Sequence, residues 1–446
     1  MLRVAIWISG RRVAGVAGSI LAQGFGVAFT MTAITVTIAA QASSTGASAS
    51  DRAAAVAGGY LLSVMAVCVW FMAVVIVAGS AAFTVTVRRR EIALLRTVGA
   101  TPGQIRRMLL AEGLLTSLVA GVGGSLITPP LTAVLAAWLA TRGMMPSNYS
   151  LPFNPAAVLA GCGFAVSVGC VGTVPSAWRS ARIRPADAVR RGTAEGRGVK
   201  VSRVMGALLL SVPVVWLWSR TSSGSLVSTF TTEVLLVSIL VILAPVIVPP
   251  LARLTLARST GALFYAGRDL YREAHRSAAV ATPVTLAVAI VFSVGVVLNA
   301  AQAGAASTSD PTDSSNMNPA FLALLVMMVT VYATIAVCGA VVASTSIRGS
   351  ELVALRLVGE TRAQTMSTVA AQTSAAVLTG AAVAVLVSLL SALPAMVGAG
   401  TGGVGALPLA PLAATVAVCA LGGSLTSVVA VARGPAGGEY PTERPV

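Results

Sequence analysis

The chain has 446 residues, of which 56% are hydrophobic and only 10% charged. A water-soluble domain carries about a quarter charged residues; no soluble core hides this much apolar side chain, so the solvent must be lipid. The formal net charge of +16 raises nucleic acid as a partner, but aromatic residues make up just 5%, interleave with no basic run, and leave that class excluded.

Apolar runs long enough to span a bilayer, about 20 residues, lie near 14–40, 57–83, 109–128, 156–177, 203–219, 231–251, 280–301, 319–343, 368–392 and 410–432. The fifth is the shortest. The first follows Arg11-Arg12 and precedes Ala47-Ser48-Ala49, as a signal peptide would. A signal core is about 7–15 residues, and this run is nearly twice that, so it reads as a retained span. After the third run, Pro129-Pro130 opens a further apolar stretch to Ala140. That stretch is either an extension of the helix or a short interfacial helix.

With the N-terminus placed on the cytoplasmic side, 27 of the 30 basic residues fall on inner segments, and only Arg52, Arg142 and Arg220 on outer loops. Such asymmetry sets orientation. It places both termini in the cytoplasm and predicts an all-α polytopic membrane protein of about ten transmembrane helices, residing in the cytoplasmic membrane of the cell.

An internal repeat organises these spans. Residues 91–104 and 351–364 share Glu, Leu, Arg, Val, Gly, Thr and Gln at a constant offset of 260, seven matches in fourteen positions. The same offset carries 14–40 onto 274–300 and 57–83 onto 317–343. Two parallel four-helix repeats joined by a two-helix insert follow. The boundaries are 1–192 for the first unit, 193–260 for the linker and insert, and 261–446 for the second unit.

Each repeated segment lies on the inner side, between the second and third spans of its unit. Gly99 and Gly359 suit the left-handed conformation that ends a helix. Thr101 and Thr361 are N-cap residues with Gln104 and Gln364 three positions on, the capping-box pattern, and Pro102 suits a first helical turn. Both copies therefore read as helix, elbow, helix. In the first arm Ile92, Leu95 and Val98 fall on one side, with Glu91 and Arg96 elsewhere. An arm of this kind lies on lipid or docks into a partner's groove. Arg88–Arg90 read as the basic stop of the second span, whereas the matched Glu, Arg and Gly of both copies read as docking elements.

Arg90, Glu91, Ile92, Leu95, Arg96, Gly99 and Ala100 fit the pattern Glu-Ile-x-x-Leu-Arg-x-x-Gly-Ala of the FtsX-like permease family, which the chain resembles across both four-span units. That family has the fold of macrolide-exporter-type ABC permeases. In the second copy Glu360 replaces the alanine, and Arg348 is displaced from the motif's arginine position. The stretch Arg184–Arg190 also resembles the tail that closes such a unit. The resemblance implies that the segment between second and third helices is a coupling helix contacting ATPase subunits. Carried over residue by residue, the coupling elements are Glu91, Ile92, Leu95, Arg96, Gly99, Thr101 and Gln104, and Glu351, Leu355, Arg356, Gly359, Thr361 and Gln364. Family members carry an extracytoplasmic domain between the first two helices of a unit; the loops here, near 41–56 and 302–318, are too short to form one.

A phosphate-binding loop needs Gly-Lys-Ser/Thr after a glycine-rich turn, and the lone lysine, Lys200, follows Val199. The chain is thus read as no enzyme, with no cofactor of its own. ATP and Mg would be bound by a separate ABC ATPase subunit, two copies per permease chain, the single permease being a pseudo-dimer. The cargo is read as hydrophobic or amphipathic, whether peptide, lipid or drug, and no substrate-binding residues are assigned. Two other classes stay open. An ATP-independent secondary carrier needs ionisable groups at membrane depth; Glu112 is the deepest carboxylate, and its repeat partner is Gln372. A signalling permease would transmit state without moving a substrate.

The remaining motifs read as packing. Cys68, Cys162, Cys170, Cys338 and Cys419 lie in apolar runs with no CxxC, as buried small hydrophobes. His275 has no ligand cluster near it, so no metal is expected. Gly161, Ala165 and Gly169, with Gly121 and Gly124, form small-residue seams. Thr30, Thr37, Ser293 and Asn299 are hydroxyl or amide groups within spans, with hydroxyls expected to bond their own backbone.

Overall fold

The computed structural model describes residues 13–43, 49–142, 154–181, 278–292, 319–347, 359–398 and 409–433, with isolated helical positions at 211, 235, 236, 239, 243, 295 and 357. All regular structure among the described residues is helical, as lipid requires of a chain whose backbone groups must satisfy one another. Seven helices among these residues are long and apolar enough to cross a membrane. The runs at 203–219 and 231–251, apart from isolated positions, lie outside the described residues.

Contacts divide the chain into two units, Met1–Gly196 with Met317–Tyr332, and Arg197–Asn316 with Ala333–Val446. The first unit contains α1 (Val13–Ser43), α2 (Ala49–Val87), α3 (Arg89–Thr97), α4 (Pro102–Thr141) and α5 (Pro155–Ala181). The α1 helix ends at Ser43 and α2 begins at Ala49, so the expected loop at 41–56 shrinks to 44–48. The alanine-rich stretch 53–57 is strongly helix-forming and is drawn into α2. The α4 helix is one continuous rod of 40 residues that passes through Pro129 and Pro130. Of the two readings open for 131–140, extension of the helix is the one realised. At 1.5 Å per residue this rod is about 60 Å long, against a hydrocarbon core of about 30 Å.

The α1 helix packs against α2, α4 and α5, and α5 also packs against α2 and α4. That makes α1 and α5 the diagonal of a four-helix bundle, with α2 and α4 at opposite corners. Small residues set the spacing. A Cβ at Gly124 would run into the carbonyl oxygen of Gly24 and the side chain of Val27, so α1 and α4 cross with their backbones nearly touching. In α5 the glycines divide their duties: Gly161 faces Val27 and Met31 of α1, Gly169 faces Ser117 of α4, and Gly172 faces Val77 of α2.

Buried polar groups then pin these crossings. Ser117 Oγ donates to Gln23 Oε1 at 2.8 Å between α4 and α1. The hydroxyls of Thr32 and Thr132 meet at 3.0 Å, and Trp70 Nε1 donates to Ser167 Oγ at 2.9 Å between α2 and α5. Bonds of this type average about 0.6 kcal/mol in a bilayer. Thr30 and Thr37 bond the carbonyls of Gly26 and Ala33 in their own helix; Ser293 and Asn299 lie outside the described residues.

In the second unit the helices are α6 (Ala278–Phe292), α7 (Pro319–Ile347, which enters this unit at Ala333), α8 (Arg362–Gly398) and α9 (Leu409–Arg433). Thr285 Oγ1 of α6 donates to the Gly380 carbonyl of α8 at 3.1 Å. Thr426 Oγ1 of α9 donates to Cys338 Sγ of α7 at 3.1 Å. All five cysteines are free. Cys68 and Cys419 are buried, but Cys162 is exposed on the outside of α5: its neighbour Gly161 takes the inward position against α1, which turns the next residue outward. No group of His, Cys, Asp and Glu able to hold a metal occurs among the described residues.

The close α1–α4 crossing gives a direct test. Gly124→Val should lower the thermal stability of the detergent-purified chain by about 1–3 kcal/mol through overpacking. Gly123→Val, where an added Cβ meets nothing within 4 Å, should leave the unfolding midpoint nearly unchanged.

Candidate functional site

The most sharply built polar structure in the first unit is the junction of α2, α3 and α4. The α3 arm has Glu91 in its first turn and Arg96 in its last, each charge at the end of the helix dipole that favours it. The arm stops in a Schellman arrangement: the amide of Ala100 bonds the carbonyl of Leu95 at 2.9 Å, and that of Gly99 bonds Arg96 at 3.2 Å. Closing those bonds needs a positive φ, and Gly99 has φ 106°. A side chain there would be strained although no neighbour crowds it.

The next helix starts two residues later. Thr101 caps α4 in a full capping box, with the Gln104 amide donating to Thr101 Oγ1 at 3.3 Å and the Thr101 amide donating to Gln104 Oε1 at 2.9 Å. Pro102 opens α4, where its missing N–H costs nothing. The second unit repeats this chemistry. Gly359 has φ 105°, the Gln364 amide donates to Thr361 Oγ1 at 3.3 Å, and the Thr361 amide donates to Gln364 Oε1 at 2.9 Å. Glu351, Leu355 and Arg356 lie outside the described residues.

The arm presents two different faces. Ile92, 1% exposed, packs in an apolar cluster with Ile105 and Leu109 of α4 and Ala177 of α5, joined by Val85, Ala100 and Leu110. Leu94, Leu95 and Val98 point out, Leu94 being 65% and Val98 88% exposed. The sequence grouping of Ile92 with Leu95 and Val98 is therefore divided: at about 100° per residue Val98 sits about 120° round the helix from Ile92. Ile92 holds the arm down, while Leu94, Leu95 and Val98 form its free apolar face.

Arg88, immediately before α3, is 5% exposed. Its Nε donates to Glu91 Oε2 at 3.1 Å, and its Nη1 donates to Glu112 Oε2 at 2.7 Å. Burial alone lowers the pKa of this guanidinium, but the charge of Glu112 and the hydrogen bonds to Glu112 and Glu91 outweigh it and hold it above its ordinary value. The group stays charged throughout the usable pH range. Sequence reasoning missed the pairing of Arg88 with Glu112, the first being read as a span stop and the second weighed only as a carrier's carboxylate. The signals were available: Arg88 precedes Glu91 by three positions, its partner at the 260 offset is Arg348, and Glu112 is the lone carboxylate of α4. Nearby, the Arg106 guanidinium lies 5.1 Å from the Trp178 ring centroid, a cation–π contact between α4 and α5.

The two elbows differ in one position. Ala100 joins the apolar cluster of the first. Its counterpart Glu360 accepts a hydrogen bond from Thr368 Oγ1 at 3.4 Å, and its other oxygen, Oε2, is buried with no hydrogen-bond partner among the described residues.

Residues 63–185 match the family model of the FtsX-like permease C-terminal domain. The match takes in most of α2, all of α3 and α4, and α5, so the elbow lies inside it. It supports placement in the FtsX-like permease family and points to a permease-type, multi-pass protein of the cell membrane. No curated protein and no solved structure matches the chain significantly.

The elbow's strain is testable. Gly99→Ala should destabilise the chain by roughly 1–2 kcal/mol, the cost of a left-handed alanine, in thermal unfolding of the purified protein. Gly103→Ala, in the first turn of α4 with open space around it, should be neutral or slightly stabilising.

Proposed function

We propose that the chain is the permease subunit of an ABC transporter, driven by two copies of a separate ATPase subunit that bind ATP and Mg. One permease chain serves each complex. Its two units are parallel tandem copies around a two-span insert, ten spans in all, with both termini in the cytoplasm. Export of a hydrophobic or amphipathic molecule is the activity. The FtsX-like domain match at 63–185 supports the class, and the matching elbows at Gly99 and Gly359 support the pairing.

One observation carries the reading. The arm α3 is seated by Ile92 in the cluster with α4 and α5, yet turns Leu94, Leu95 and Val98 away from the protein. A lipid anchor would need an apolar face and no fixed bearing. A docking element needs both, because a partner's motion is transmitted only through a part that does not yield. Closure of two ATPases would draw the arms together, and each capped elbow would hand that displacement to the long helix behind it.

A carrier is less well supported, since Glu112 is already engaged by Arg88. A signalling role without cargo is less well supported because only 44–48 separate α1 from α2, too few residues for a domain between those two helices.

Purification of the full chain from its native membrane should bring down an ATPase at about two copies per permease. The pair Leu94→Asp and Val98→Asp should cut ATPase retention at least about tenfold, as loss of apolar anchors does, without moving the thermal midpoint. Full retention in that variant, or a chain that purifies alone and moves substrate without ATP, would overturn the reading.

A further inference from the structure

We propose that Arg88 is a positioning residue that locks the first arm to α4, so that the two move as one body and the Gly99 elbow acts as a fixed bend and not as a hinge. The mechanical consequence rests on the docking function proposed for the arm; the lock itself does not.

Three features of the junction lead there. Chain connectivity alone joins α3 to α4 through Val98–Thr101, a link that a positive-φ glycine could make either stiff or loose. The backbone bonds at Gly99 and Ala100 and the capping box close that link at its ends. Ile92 then anchors the arm to Ile105 and Leu109 on the first two turns of α4. Arg88 extends the constraint further. Glu112 lies ten residues beyond Pro102, about 15 Å along the rod, so the guanidinium grips α4 well past the elbow. Its second carboxylate, Glu91, belongs to the arm. One buried cation thus ties the arm to the third turn of the helix that the arm is to move.

The bundle makes the position informative. The α2 and α4 helices occupy opposite corners and share little packing, yet Arg88, at the end of α2, reaches Glu112 on α4 at 2.7 Å. A side chain that only stopped α2 would keep its charged head in water, as long basic side chains do. This one is turned inward and gives up its water for two carboxylates, an arrangement in which losing either partner strands a charge. At the corresponding positions the second unit carries Arg348, Glu351 and Gln372. Of the two carboxylate positions that hold Arg88, the second unit keeps one as a carboxylate and has an amide at the other.

The test is amide hydrogen exchange across 89–97 and 102–112 in the purified full chain, compared with Arg88→Gln, Glu112→Gln, their double variant and Arg88→Lys. Loss of a charge-assisted bond should speed exchange in the arm at least about tenfold. The double variant should be no faster than the quicker single one, and Arg88→Lys should fall between, since an ammonium cannot span both carboxylates in the planar fork. If Arg88→Gln does not fold, Glu112→Gln, isosteric and neutral, carries the comparison. Arm exchange unchanged in Glu112→Gln overturns the lock, whatever binds the arm. Arm exchange raised, with no ATPase found on the wild-type chain, leaves the lock standing and sinks the docking function instead. Both raised exchange and ATP hydrolysis by the co-purified partner that no longer responds to the permease would support the lock as the route of transmission.

Discussion

In a bilayer an apolar side chain gains nothing by leaving lipid for another apolar side chain, so helices associate only where their surfaces fit closely or exchange hydrogen bonds. The first unit depends on that constraint. The α1 and α4 helices meet where Gly24 and Gly124 remove all side-chain bulk, and the bonds Ser117–Gln23 and Thr32–Thr132 fasten the crossing on either side. Without the close approach, those short side chains could not reach across. The glycines and the hydroxyls are thus one device, and α4 owes its bearing in the bundle to it.

That bearing matters because α4 is a rod of 40 residues, longer than the membrane is thick. A rod gripped at one level behaves as a lever. Its Pro102 end carries the elbow, Arg106 against Trp178, and the carboxylate that holds Arg88. The apolar cluster of Ile92, Ile105, Leu109 and Ala177 sits at the same level. Packing, caps and one buried ion pair converge within a few turns of the place where the chain reverses from arm to rod. Each would be weak alone. Together they leave the arm with no independent position.

The two elbows show how one local code works in different surroundings. Glycine at positive φ, threonine cap and glutamine box recur at 99–104 and 359–364 with nearly the same geometry. These features are short-range, satisfied by atoms within six residues. What surrounds them is not repeated: Ala100 is packed among hydrocarbon, whereas Glu360 has one oxygen buried without a hydrogen-bond partner among the described residues. A carboxylate in that position makes the second elbow electrostatically distinct from the first.

The sequence by itself determined the solvent, the helical class and both elbows. Each depends on local quantities: the length of an apolar run, a residue that tolerates positive φ, a hydroxyl three positions before an amide. Apolar pattern could not decide which side of the arm faced out, because Ile92, Leu95 and Val98 are equally hydrophobic and only contact with α4 and α5 separates them. It could not tell whether α4 continued past Pro129-Pro130, since a proline's cost is offset or not by the bundle around it. Nor could it distinguish Arg88 from its neighbours in a run of three arginines. That choice was tertiary: the Arg88 guanidinium turns inward to reach Glu112, 24 positions away in sequence.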